Sequence, residues 1–281
     1  MKYFKKWEEL TITDDFMFCK VMQDENICRE LLELILHVKI GKITFLTSQH
    51  EIEADPQSKA VTMDVYLRDE NKVINVEMQT GHRLELPKRA RYYQAVADTD
   101  NTPPGVSYSN MKDNYVIFIC TFDPFRLGRA MYMFENICID SEPPLPLNDG
   151  THKLFLNTAA GDLTRLDPGL KLFYDYIHSG RADSRLTKQI NGAIKTIKQN
   201  REARRKYMTY TTRIMEAKTE AHEQGRQEGI AIGEKLGEER GISIGAREAK
   251  LETAKSMKHE NMPIPMIAHF TGLSAEEIDK L

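Results

Sequence analysis

Asp64 and Glu77 are the residues in this chain whose type and setting suggest chemistry. Each stands in a short run of alternating residues, VTMDVYL and NVEMQ. Side chains alternate faces along a β-strand. Val61, Met63, Val65 and Leu67 therefore share one side of the first run, and Thr62, Asp64 and Tyr66 the other. In the second run Ile74, Val76 and Met78 lie opposite Asn75, Glu77 and Gln79. Each run has an apolar side and a polar side. The link RDENK between them suits a short hairpin, and pairing would bring Asp64 and Glu77 close together. Two carboxylates on neighbouring strands, with no histidine or cysteine beside them, suit a hard cation. Mg2+ takes oxygen ligands and retains several waters. Such a metal polarises a phosphoryl oxygen and acidifies an attacking water. The competing reading of the same spacing is a hairpin whose polar side faces solvent.

The elements that must position these residues read as mixed α/β over the first two thirds of the chain. Apolar residues at helical spacing mark residues 16–35 as a helix, with Thr13, Asp14 and Asp15 as caps. Short β-rich runs follow at 43–47, 61–67 and 73–79. Residues 86–97 read as a helix, with Pro87 acceptable in its first turn. The nearly continuous apolar run 115–122 suits a central strand buried on both faces. Residues 132–139 and 153–157 look like further strands, and the intervening SEPPLPLNDG is a loop by its Pro, Asn and Gly content.

Near residue 180 the character changes. Residues 185–218 contain no proline and one glycine, Gly192, so a long helix is expected. That segment carries a net charge of +8 in a chain whose total is −3. A basic helix of this kind could track a DNA backbone, with Arg201, Arg204 and Arg205 foremost, since each neutralised phosphate releases counterions. A solvated face balancing the acidic remainder is the plainer reading. Glycines then fall at 225, 229, 233, 237, 241 and 245, every fourth residue. As a helix this costs about 6 kcal/mol against alanine. The repeat fits either close packing between chains, as a homo-oligomer, or a flexible linker. The flanking Arg226, Glu228, Glu234 and Lys235 exclude a membrane helix. Residues 262–281 read as two short helices, 264–270 and 274–281, joined by Gly272 at a C-terminal turn and Ser274 as an N-cap. They resemble the start of a helix-turn-helix, but Glu276, Glu277 and Asp279 would repel phosphate. A packing or regulatory module is the expectation.

The 281 residues are 41% hydrophobic and 29% charged, which excludes wholesale disorder, collagen and a membrane bundle. The four cysteines form no C-x-x-C pair and are too sparse for a disulfide scaffold. The opening MKYFKKWEEL has no apolar core of a signal peptide. A soluble, cytoplasmic protein is expected. The eight histidines show no zinc-binding spacing, and no nucleotide-binding glycine loop follows a strand, so no organic cofactor is indicated.

DDFMFCKVM, VTMDVYL, NVEMQ, LPKRARYYQA, IFICTFDPF, MFENIC and KLFLNT, with the glycine repeat and TGLSAEEI, together resemble the PD-(D/E)XK nuclease superfamily. Within it the chain is similar to the Rpn-type recombination-promoting nucleases, a transposase family. The likeness spans nearly the whole chain. It implies an α/β, restriction-endonuclease-like core of mixed β-sheet flanked by helices, with an α-helical C-terminal tail. It implies Asp64 and Glu77 as metal ligands, the Met78 backbone carbonyl as a third, and Mg2+, or Mn2+ in its place, as the metal. Gln79 stands where the superfamily has a lysine that activates water and neutralises phosphate. Glutamine can orient a water but brings no charge. Lys88 on the following helix could supply the charge, or it could simply face solvent. Asp15 matches an early acidic position near the metal and suits a helix cap equally well; Glu33 is a weaker acidic candidate. Arg89, Tyr92, Tyr93 and Gln94 match a helix flanking the site, where Arg89 could contact phosphate and Tyr92 is expected to pack in the core.

The expected organisation is a nuclease-like domain over 1–180, a basic helix over 181–224, the glycine repeat over 225–250 and a helical hairpin over 251–281. The expected function is Mg2+-dependent endonucleolytic cleavage of DNA, linked to recombination, mobile elements or defence against foreign DNA. The alternative is a catalytically decayed DNA-binding or assembly protein on the same fold, which Gln79 favours and the intact Asp64 and Glu77 oppose.

Overall fold

The structure, a computed structural model, describes residues 4–52 and 61–281. The helical periodicity after residue 16 yields two helices rather than one, α1 (Asp15–Val21) and α2 (Glu25–Leu36). The break falls at Asp24, whose carboxylate accepts the N–H groups of Asn26 and Ile27 at 2.9 and 3.2 Å. Capping of a new helix competes there with continuing the old one. Asp14 is the N-cap residue of α1, but its side chain makes no capping bond to that helix.

Strands β1 (Phe45–Ile52), β2 (Val61–Arg68) and β3 (Lys72–Gln79) form an antiparallel meander. The β2–β3 hairpin is closed by Asp69, which is 1% exposed. Its carboxylate accepts from the N–H groups of Asn71 at 2.8 Å, Lys72 at 2.6 Å and Gly41 at 3.0 Å. Helix α3 (Leu86–Asn101), with Pro87 in its first turn, crosses over to β4 (Asp113–Cys120), which pairs parallel to β3. The segment expected as one strand over 132–139 divides into β5 (Met131–Phe134) and β6 (Ile137–Cys138). β6 pairs with β7 (Leu145–Pro146), inside the expected loop, as a separate two-stranded sheet. β8 (Thr151–Asn157) returns parallel to β4 and antiparallel to β5. The six-stranded order is β1-β2-β3-β4-β8-β5. This mixed sheet flanked by helices is the expected restriction-endonuclease-like architecture.

Helix α3 covers one face of the sheet. Ala90, Tyr93 and Val96 join Tyr66, Val116, Phe118 and Phe155 in one buried cluster. α1 packs against β2, and both α1 and α2 pack against α5 (Arg185–Gln199). Between β8 and α5 lies α4 (Pro168–Ser179), a helix not among the expected elements. Its signals are present. Asp167 accepts from the N–H groups of Gly169 and Leu170 at 2.7 and 3.4 Å, Pro168 opens the helix, and Gly180 closes it at φ 71°.

The expected helix over 185–218 is interrupted at Asn200, where the backbone becomes extended. The Asn200 side chain accepts the N–H groups of Glu202 and Ala203 and so starts α6 (Arg201–His259). The Trp7 indole donates to the Lys198 carbonyl at 3.0 Å, and the Tyr207 hydroxyl donates to the Lys5 carbonyl at 2.8 Å. These contacts tie the N-terminal segment to α5 and to the start of α6. The first compact unit accordingly runs to Met208 rather than ending near residue 180.

The second unit comprises residues from Thr209 to Leu281. All six glycines of the repeat are helical, and a Cβ built on any of them meets nothing within 4 Å. α7 (Ile264–Thr271) ends at Gly272, φ 70°, and α8 (Ala275–Asp279) starts at Ser274. Ser274 accepts the Glu277 N–H at 3.2 Å while Glu277 accepts the Ser274 N–H at 3.0 Å, a reciprocal cap. Ala254, Ile267, Leu273 and Ile278 form a small core of their own. Among the described residues no helix is long and apolar enough to cross a membrane.

Candidate active site

The antiparallel pairing of β2 with β3 runs from Arg68↔Val73 to Val65↔Val76 and stops there. Asp64 and Glu77 are the next residues on each strand. Their side chains take over from the ladder. The Asp64 N–H donates to Glu77 Oε1 at 3.0 Å, and the Met78 N–H donates to Asp64 Oδ2 at 3.1 Å. Buried backbone N–H groups require partners, so each carboxylate is fixed by the other strand's main chain. The expected proximity of the two residues is present.

The expected solvent-facing alternative is overturned for the polar side of β3. That side lies under α3, with Asn75 and Glu77 each 1% exposed. On β3 the alternation separates two buried faces, one apolar and one polar, whereas on β2 Asp64 is half-buried and Thr62 exposed.

Arg89 reaches the site from α3. Its Nη2 donates to Glu77 Oε2 at 2.6 Å, its Nη1 to Gln79 Oε1 at 3.1 Å, and its Nε to the Tyr93 hydroxyl at 2.7 Å. The guanidinium also lies 4.8 Å from the centre of the Tyr93 ring and 5.5 Å from that of Phe118. Gln79 gives its amide N–H to the Gly81 carbonyl at 2.9 Å. Its oxygen and one of its N–H groups are thus engaged within the protein.

Burial pushes the carboxyls of Asp64 and Glu77 above their ordinary range. For Asp64 the negative charge of Glu77 adds to this, and the Met78 N–H only partly offsets it. For Glu77 the Arg89 guanidinium is the largest opposing influence. Asp15, solvent-accessible at the start of α1, adds repulsion to both. The site carries more negative charge than its one guanidinium offsets, and a further cation would relieve the excess.

The donor set fits a hard metal ion. The available ligands are oxygens, from Asp64, Glu77 and the Met78 carbonyl, while Asp15 acts on both carboxylates through its charge. Among the described residues no three acidic, histidine or cysteine side chains are clustered to hold an ion by themselves. Two carboxylates with waters completing the shell is the usual way Mg2+ is bound.

Lys88 is exposed on α3, and the cation that enters the site is its neighbour Arg89. Tyr92 packs against the α3 cluster, as expected. Gln94 exchanges hydrogen bonds with Asn114, both at 3.0 Å, and fastens α3 to β4. Glu33 is engaged elsewhere: it accepts the Ile40 N–H at 3.1 Å and pairs with Lys39 at 3.1 Å. Arg201, Arg204 and Arg205 are exposed on α6, where Arg204 pairs with Glu8 at 3.1 Å. Sequence reasoning missed Cys19, whose thiol donates to the Asp64 carbonyl at 3.2 Å and ties α1 to the site strand. No spacing signal marks that contact.

A family model described as PD-(D/E)XK nuclease family transposase matches residues 13–227. No curated protein and no solved structure matches the chain.

Proposed function

The chain belongs to the PD-(D/E)XK nuclease family transposases, and from that premise we propose that it hydrolyses DNA phosphodiesters endonucleolytically with Mg2+, or Mn2+ in its place. The observation that carries this reading is the pair of half-buried Asp64 and buried Glu77, placed together where β2 and β3 stop pairing and held by each other's strands. Asp64, Glu77 and the Met78 carbonyl would hold the metal, with Asp15 at the entrance. The metal, when bound, supplies Lewis-acid polarisation of the phosphoryl group and a more acidic water. The protein's part is positioning. Asp64 and Glu77 are oriented by backbone N–H groups, and α3 covers the face on which they lie. The exposed arginines 201, 204 and 205 of α6 suit contact with a nucleic-acid backbone. α6 also suits self-association into a homo-oligomer. Roles in recombination, mobile-element transfer or defence against foreign DNA follow from the same reading.

Plasmid nicking by the purified chain tests it. Open circles should form with Mg2+ or Mn2+ and not with EDTA. A protein that binds plasmid but leaves it intact with every metal would favour the non-catalytic alternative, to which glutamine at position 79 already points.

A further inference from the structure

Resting on the nuclease reading above, we propose that Arg89 is the positioning residue for Glu77, and that position 79 is an amide because it must hold that arginine. Glu77 and Gln79 are two residues apart on one strand and so share a face. A single guanidinium spans both, with Nη2 on the Glu77 carboxylate at 2.6 Å and Nη1 on the Gln79 oxygen at 3.1 Å. Its third donor, Nε, is taken by Tyr93 one helical turn further on, and the guanidinium carbon lies over the Tyr93 and Phe118 rings, 4.8 and 5.5 Å from their centres. A planar fork with fixed donors suits this arrangement as a flexible ammonium does not.

The requirement at position 79 is specific. The side chain must offer an acceptor to Arg89 without adding a third carboxylate to a site already short of positive charge. A lysine offers donors only and would set an ammonium against the guanidinium. A glutamate would add negative charge beside Asp64 and Glu77. Glutamine meets both conditions, and it turns its N–H to Gly81 so that its oxygen faces Arg89. The positive charge of this site therefore arrives from α3 instead of from β3. With Oε1 on the Asp64 N–H and Oε2 on Arg89, both oxygens of Glu77 are held in place.

The test uses the full chain in five forms: wild type, Arg89→Gln, Arg89→Lys, Gln79→Lys and the double variant Gln79→Lys/Arg89→Gln. Three measurements are made: plasmid nicking with Mn2+, Ca2+ binding by calorimetry without DNA, and melting temperature in EDTA. Arg89→Gln should slow nicking about 100-fold, the scale of removing one preorganised electrostatic interaction, and Arg89→Lys should slow it less. Ca2+ should bind Arg89→Gln at least as tightly as wild type, because a competing cation has left Glu77. A merely structural role would weaken both together. Gln79→Lys should lower both nicking and melting temperature where Arg89 is present. The double variant should regain nicking and melting relative to Gln79→Lys, since the ammonium then meets no guanidinium. A double variant as poor as its worse parent, or Gln79→Lys indistinguishable from wild type in melting, overturns the proposal. If wild type fails to nick, the nuclease reading falls, and the melting comparison of Gln79→Lys with and without Arg89 still decides whether Gln79 holds the arginine.

Discussion

The Glu77 carboxylate accepts the backbone N–H of Asp64 at 3.0 Å, across the point where their two strands stop pairing. Its counterpart, the Met78 N–H donating to Asp64 Oδ2 at 3.1 Å, takes the place of the ladder bond that β3 would otherwise make there to Met63 on β2. A strand that continued pairing would bind its N–H to a backbone carbonyl, leaving the carboxylate to turn elsewhere. Divergence of β2 from β3 and orientation of the acidic pair are thus one event.

Substituting either carboxylate should abolish nicking. Asp64→Asn is the cleaner change, because an amide oxygen can still accept the Met78 N–H. Glu77→Ala also strands the Asp64 N–H and the Arg89 guanidinium, so it should cost about 1–3 kcal/mol of stability for each group left unpaired. Nicking assays beside thermal melts separate the two effects. Wild-type rates in Asp64→Asn would remove Asp64 from the site.

The raised carboxyls make metal-free stability fall with pH. Burial lifts Glu77 to about 7 and lifts Asp64 above its usual range as well. A carboxyl with a native pKa above its unfolded value of about 4 favours the fold fully below that value. The contribution is lost as pH rises through the native pKa, here between about pH 4 and 7 or above. Asp64→Asn removes one such group. In EDTA it should melt closer to wild type at pH 5, and higher than wild type at pH 8. Saturating Mg2+ should raise the wild-type melting temperature at pH 8 and reverse that order. The same difference at both pH values would contradict the charge account.

Replacing Arg201, Arg204 and Arg205 with glutamine should weaken DNA binding evenly across sequences. The slope of log affinity against log salt should shrink by about 0.9 for each phosphate no longer neutralised. Arg204 already pairs with Glu8, so its share is expected to be the smallest. An unchanged slope would make these residues a solvated face.

Gly233 and Gly237 can be tested by size. Alanine at both should raise helicity, gaining about 1 kcal/mol per site, since among the described residues nothing beyond the helix's own backbone lies within 4 Å of either added Cβ. Leucine at both should lower the mass per particle in light scattering if chains pack along this stripe. Equal mass for wild type, both variants and a chain ending at Gln224 would show that the stripe carries no association.

The paired strands were legible because alternation in VTMDVYL and NVEMQ is strict and RDENK contains the aspartate that closes the turn. The breaks at Asp24 and Asn200 were not. Helical periodicity continues across both, and only the capping bonds of those side chains start a new helix. Arg89 was partly legible. Leu86, Ala90, Tyr93 and Ala97 mark the buried side of α3. Arg89 lies three residues after Leu86 and four before Tyr93, so it shares that side, whereas Lys88 does not. What no local pattern carries is the closeness of Cys19 to Asp64, which depends on α1 docking against β2.

The glycine stretch of α6 has a kinetic consequence. Its amides are held by the helix's own hydrogen bonds, without a side-chain shield from the chain around the six glycines. Glycine lowers the free energy of opening a helix locally. Amide protons between residues 225 and 245 should therefore exchange with deuterium early, through openings that leave the sheet untouched. Residues 116–120 of β4, none of them measurably exposed, should exchange only when the first unit unfolds as a whole. One protein would then display two clocks, and slowing of the first as chain concentration rises would time the pairing of α6 with another copy.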